Sequence, residues 1–164
     1  MSIFQTALLL SAFLCSLVAG FLFSYAIVVM PGIKNLNDRE FIRTFQVTDR
    51  IIQNNHPIFM LVWVGSAIAL IVSALYGVGR LQGVDLFLLA LATLAYVLGV
   101  QISTIAIHLP LNKKLQTLDV DAMNETDIKV ARNDFEARWN TSNLIRTAIA
   151  SCVSVLLIIL LFRQ

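Results

Sequence analysis

Four apolar blocks, residues 6–30, 58–79, 86–107 and 145–162, occupy most of this chain. Each is long enough to cross a bilayer core of ~30 Å as a helix rising ~1.5 Å per residue. The polar residues are confined just as sharply. All nine Asn, both His, all three Pro and ten of the twelve Lys and Arg fall within residues 30–57 and 108–146. Four crossings place the first and third connections on the same side of a membrane. The hydrogen-bonding and titratable chemistry is therefore expected at one membrane face, and that asymmetry is the main clue to what the chain does.

The bulk numbers agree. Of 164 residues, 58% are hydrophobic and 13% are charged, against roughly 25% charged in soluble domains, and the mean hydropathy is +0.80. The expected fold class is all-α: residues 1–164 form a single integral membrane domain, a four-transmembrane-helix bundle. A net charge of +2 with no aromatic-plus-basic motif gives no reason to expect nucleic acid. Membrane lipid is the expected surrounding partner. Cys15 and Cys152 each fall well inside a span and read as small buried hydrophobes, not as a disulfide or redox pair. The first block follows no Lys or Arg and is not followed by an A-x-A site, so it is expected to stay as the first membrane helix and not to be cleaved as a signal peptide.

Orientation follows from Lys and Arg. The two long connections carry Lys34, Arg39, Arg43, Arg50, Lys113, Lys114, Lys129, Arg132 and Arg138, with Arg146 at the edge of the last span, while the other side holds only Arg80 and Arg163. The positive-inside rule then predicts a multi-pass protein of the cell membrane with both long loops cytoplasmic and both termini outside. The sequons at Asn124 and Asn140 would face the cytoplasm and are not expected to carry glycan.

Along the chain, Ser16, Gly20 and Ser24 form a small-residue stripe on span one, and Met30-Pro31-Gly32 is expected to end it. A short amphipathic helix follows, with Asn37 as its N-cap and Glu40 three residues on. Its apolar face is Phe41, Phe45, Thr48 and Ile52, and its polar face is Arg39, Arg43, Asp49 and Arg50. It should lie on or against the cytoplasmic end of the bundle. Asn54-Asn55-His56-Pro57 opens span two, with Pro57 at the first helical position. Gly65, Ala69, Ser73 and Gly77 then recur every four residues and predict close helix packing. A short turn leads to span three, where Asp85 is a candidate cap and Leu109-Pro110 the expected end. From about residue 127 a helical pattern runs on into span four, so the last helix should extend into the cytoplasm. Arg132, Phe135, Trp139, Asn143, Arg146 and Ala150 share one of its faces.

Candidate chemistry sits where those elements meet. Gln101, Thr104 and His108 fall on one face of span three at i, i+3 and i+7. Gln101 reads either as a residue bonding a neighbouring helix or as a group lining a pocket. His108 and His56 lie at equal depth on antiparallel spans. Each is an interfacial histidine, a general base or a ligand; base ranks above ligand, because no third His and no E-x-x-H pattern supports a metal cluster. No metal site is expected. Arg146 reads either as a snorkelling side chain or as the partner of an anion or oxyanion. With Asn143 and Trp139 it would set a guanidinium, an amide and an aromatic wall on one face, which suits a planar, oxygen-bearing ligand.

Val29-Met30-Pro31-Gly32-Ile33, Phe45-Gln46, Asn54 with Pro57, His108-Leu-Pro-Leu-Asn112, and Arg138-Trp139-x-x-x-Asn143-x-x-Arg146 together resemble the anthrone oxygenase-like family over nearly the whole chain. Its members are mostly bacterial integral membrane proteins, with fungal members implicated in oxidising anthrones to anthraquinones with molecular oxygen and no known cofactor. The resemblance implies a four-helix membrane fold and, by analogy, a cofactor-independent oxygenase acting on an aromatic small molecule. On that reading His108 is the base, Arg146 and Asn143 stabilise the enolate oxygen, and Trp139 stacks on the ring. Gln101, Thr104, Asn112, His56 and Asn54 complete the expected substrate-binding set. The alternative is a non-enzymatic membrane subunit or scaffold whose polar face binds a partner or lipid headgroups. Purification with a quinone, phenol or pigment would favour the first, and a stoichiometric protein partner the second.

Overall fold

The computed structural model describes residues 2–164, and those residues are helical apart from short connections. Five helices follow in chain order: α1 (Ile3–Ile33), α2 (Asp38–Gln53), α3 (Pro57–Val78), α4 (Gly83–Gln116) and α5 (Glu125–Phe162). Four of them, α1, α3, α4 and α5, are long and apolar enough to cross a membrane, at 31, 22, 34 and 38 residues. Since about 20 residues suffice, α1, α4 and α5 have turns to spare. α5 carries its surplus at its N-terminal, polar end, where the pattern from residue 127 predicted it.

Two expected helix ends do not occur. α1 runs through Pro31, and α4 runs through Pro110. Proline in a helix interior lacks a donor and presses its ring on the carbonyl four residues back. In both helices that carbonyl lies in a π-helical segment, Tyr25–Val29 ahead of Pro31 and Thr104–His108 ahead of Pro110. The wider turn makes room for the ring. Met30 and Leu109, the residues before proline, keep ordinary helical angles and donate to the carbonyls of Tyr25 and Thr104, five residues back. α4 carries a further π segment at Val97–Ile102.

Around the bundle, α1 packs along both α3 and α5, and α4 packs along α5. α3 meets α4 over the Gly83–Tyr96 half, next to their connecting turn. The stripe on α3 faces α1 as expected: Ser73 Oγ lies 2.9 Å from Ser11 Oγ, and a Cβ on Gly65 would stand 3.4 Å from Leu14 Cδ1. The stripe on α1 does not face a helix at Gly20, where a Cβ would meet nothing within 4 Å, while Ser16 and Ser24 are half-buried. Asp85 does not cap α4; Gln82 holds that position, and Asp85 accepts a 2.6 Å hydrogen bond from Arg163 Nε. Cys15 is buried, but Cys152 is exposed.

The stripe yields a stability test. A Cβ on Gly77 would sit 2.6 Å from Leu89 Cδ2 and 3.4 Å from Phe4 Cε2. Gly77→Leu overfills that contact and is expected to destabilise the protein by ~1–3 kcal/mol, read as a lower Tm in detergent. Gly20→Leu should leave Tm unchanged or slightly raised. Equal Tm for Gly77→Leu and wild type would mean that α1 and α4 do not close on α3 here.

The polar end has its own core. α2 lays Phe41, Ile42 and Phe45 against Leu115, Val120, Ile128, Phe135 and Trp139. Asn37 caps α2 by accepting from the Glu40 amide at 2.9 Å. Two arginines staple the cap down. Arg39 donates to Glu125 Oε1 at 2.8 Å and to the Met123 carbonyl at 2.8 Å, and also reaches the Val120 carbonyl. Arg132 donates to Asp38 and Glu136 and to the carbonyls of Lys34 and Leu36, with its guanidinium 4.3 Å from the centroid of the Phe41 ring. The apolar face of α2 is thus turned from the one expected. Gln46 and Asp49 are buried on it, while Thr48 is exposed.

Candidate functional site

Past Tyr96, α4 leans on α5 and leaves a gap toward α3. The gap is bridged by a long contact, from Gln101 Nε2 to the Trp63 carbonyl at 3.4 Å. Behind it lies a cavity of about 310 Å³ between the membrane core and the polar-end core. Its walls are aromatic: Phe21 and Tyr25 from α1, Phe45 from α2, Phe59 and Trp63 from α3, and Trp139 from α5. The polar groups on the wall are Asp49, Gln53, Asn55, Gln101, Thr104, His108, Asn112 and Arg146. Val64, Ile105 and Leu109 also line it, yet each is exposed on the outer, apolar surface of the bundle. The cavity therefore opens between α3 and α4 at the level of the apolar spans, with Asn55, also exposed, at its polar end.

His108 is 1% exposed. Its Nε2 lies 2.9 Å from Ser142 Oγ, its Nδ1 is buried with no partner, and its ring stands edge-on to Trp139 at 5.1 Å between centroids. Ser142 faces the opposite way as well. It is 3.4 Å from Ser103 Oγ and lines a shallow groove on the outside of α4 and α5, together with Arg138 and Thr141.

Arg146 is 5% exposed and forms none of the ion pairs among the described residues. Nε donates to Asn143 Oδ1 at 3.1 Å and Nη1 to Thr104 Oγ1 at 3.0 Å. Its guanidinium carbon lies 5.7 Å from the centroid of Trp139. Burying a cation that no carboxylate neutralises is costly. Asn143 is 1% exposed and stands behind Arg146, not on the cavity wall: Nδ2 donates to the Leu22 carbonyl at 3.2 Å. Leu22 lies just ahead of the π segment of α1, and its carbonyl also accepts from the Tyr25 amide.

Asp49 lies on the buried face of α2, not on the polar face expected of it. It is 2% exposed and forms no ion pair among the described residues. Asn112 Nδ2 donates to its Oδ1 at 2.8 Å and Gln116 Nε2 to its Oδ2 at 3.2 Å. Asn112 in turn accepts from Trp139 Nε1 at 2.9 Å. Burial pushes the Asp49 carboxyl above the usual carboxylate range, against the opposing pull of the Gln116, Gln53 and Asn112 amides. A signal for it was present, since Phe41, Phe45 and Asp49 stand four apart and so share one stripe of α2.

Of the residues expected to form a site, the structure brings together Gln101, Thr104, His108, Asn112, Trp139 and Arg146. It leaves out His56 and Asn54, both exposed in the turn before α3. His56 is the backbone cap of α3, with Pro57 following it. The neighbour Asn55 takes the place on the wall; its φ of +56° is one that Asn tolerates better than most residues. No His/Cys/Asp/Glu cluster of metal-holding size occurs among the described residues.

These features define a small polytopic, all-α membrane protein with an aromatic-walled cavity that opens between two of its spans. A family model described as anthrone oxygenase matches residues 50–156, more than half of the chain, and the protein belongs to that family. The match is narrower than the resemblance read from the sequence. It takes in His108, Asn112, Trp139 and Arg146 and leaves out α1 and nearly all of α2. No curated protein and no solved structure matches the chain.

Proposed function

We propose that this protein is a cofactor-independent oxygenase that draws a planar, anthrone- or phenol-like substrate from the bilayer into the cavity. One observation carries the reading. A buried imidazole with a free ring nitrogen and a buried guanidinium without a carboxylate share the wall of a single aromatic-lined cavity. In the tautomer that donates Nε2–H to Ser142, the lone pair of His108 is on Nδ1. Nδ1 removes a proton from a CH₂ group that lies between aromatic rings and is conjugated to a carbonyl. The charge moves to the carbonyl oxygen, which Arg146 receives. Molecular oxygen takes the electron pair at carbon and forms the new C–O bond, and the proton returns to give a hydroperoxide. Loss of water then leaves a ketone. In sum CH₂ and O₂ become C=O and H₂O, so every electron comes from the substrate.

Trp139, Phe45 and Trp63 give flat walls for the rings. Asn143 and Thr104 hold the guanidinium in place. Ser142 links the imidazole to the outer groove and offers a route by which a proton is exchanged without passing through the cavity. The test is oxygen uptake with quinone formation by purified protein on a panel of anthrones and hydroquinones. One O₂ consumed per ketone formed supports the reading. Folded protein that turns over no member of the panel would overturn it, and a stoichiometric protein partner would bring the scaffold alternative forward.

The polar end faces the cytoplasm on this reading, following the Lys and Arg distribution. In a variant lacking Cys15 and Cys152, single cysteines at Asn35 and Asn124 should resist an impermeant thiol reagent in intact cells, and one at Gln82 should react. The reverse pattern would turn the protein over in the membrane.

A further inference from the structure

The cavity has two charged poles, and neither is neutralised by the protein. Arg146 approaches the face of Trp139, while the indole Nε1 leads through Asn112 to Asp49 on α2. A flat ligand lying along Trp139 meets the guanidinium on one side and the carboxylate on the other. A carboxylate accepts about four hydrogen bonds; Asn112 and Gln116 give Asp49 two, and the amide of Gln53, buried beside it without another partner, accounts for a third. An unfilled lone pair of a carboxylate admits only a donor.

Resting on the reading of this cavity as an aromatic-ligand site, we infer that Asp49 selects for a ligand that carries a hydroxyl group remote from its carbonyl, accepting that hydroxyl while Arg146 takes the carbonyl oxygen. A site built to bond a hydroxyl discriminates against the analogue that lacks it, because its own polar group is then left unpaired.

The experiment uses two quinones that are not themselves turned over, 2-hydroxyanthraquinone and anthraquinone. Binding is read by quenching of tryptophan fluorescence in detergent-purified full-length protein. Wild type should prefer the hydroxylated ligand by ~10–100-fold, as expected for a hydrogen bond to a charged acceptor. Asp49→Asn and Asp49→Ala should lose most of that preference, binding anthraquinone at least as tightly as wild type does because no carboxylate is then left unpaired, and that binding shows that the variant is folded. A general loosening of α2 would weaken both ligands alike and leave their ratio unchanged. Equal binding of the two by wild type, or an undiminished preference in both variants, overturns the inference and leaves the oxygenase reading standing. Binding of neither ligand by wild type overturns both.

Discussion

His108→Ala is expected to lower the rate of substrate oxidation by ~10²–10⁴-fold, the contribution of a positioned general base, with ligand affinity changed far less. The imidazole is the only histidine on the cavity wall, and its Nδ1 is free. Removing it takes away the proton acceptor but not the aromatic walls or the guanidinium that hold the ligand. The truncation also leaves Ser142 without a partner and a void beside Trp139, so a modest fall in Tm accompanies it. Turnover and quinone binding are measured together, with gel filtration as the check on folding. Wild-type-like turnover in folded His108→Ala would remove His108 as the base. Asp49, the other proton acceptor on the wall with a raised carboxyl pKa, would then become the candidate.

Arg146→Met is expected to lower the rate by ~10²–10³-fold, the usual consequence of removing a principal oxyanion partner, and to weaken ligand binding too. Met nearly keeps the volume and removes a buried charge that the protein itself does not pair, so Tm should hold or rise. Stability retained with activity lost is the signature of a residue placed for a ligand. Arg146→Lys should restore little. An ammonium on a flexible stem cannot bond Asn143 and Thr104 at once and still present a planar fork to the cavity. Asn143→Ala should fall between wild type and Arg146→Met, because it frees the guanidinium without removing it. Full activity in Arg146→Met would place the guanidinium outside the chemistry, as a packing residue only.

Much of this site was legible one helix at a time. The face of α5 that carries Phe135, Trp139, Asn143 and Arg146 follows from a period of 3.6 residues, as does the stripe Gln101, Thr104 and His108 on α4. The chain order Asn54-Asn55-His56-Pro57 was equally legible as a helix start. Which of those three polar residues reaches the cavity was not, because direction in a turn depends on φ, and Asn55 takes the positive value. Asp49 was missed for a different reason. Charge argued for the outer face of α2, and two of the amides that offset its burial lie 63 and 67 residues further along the chain, beside the nearer Gln53.

The sequence by itself determined the segregation of polar groups at one end, the four spans, the capped amphipathic helix and the faces of α4 and α5. These depend on local periodicity and on the free energy of moving apolar segments out of water, and both are written into consecutive residues. Only the tertiary structure decided that α1 and α4 continue through Pro31 and Pro110. A proline's local preference against helix is outweighed where a π segment relieves the ring clash and neighbouring helices hold the remaining turns. Only the tertiary structure decided that a cavity exists at all. The gap between α3 and α4 arises because α4 follows α5 past Tyr96, and the polar network across it joins α2, α4 and α5 through Asp49, Asn112 and Trp139. Helical periodicity fixes the direction in which each of those side chains points; the assembly of three helices fixes what it meets there.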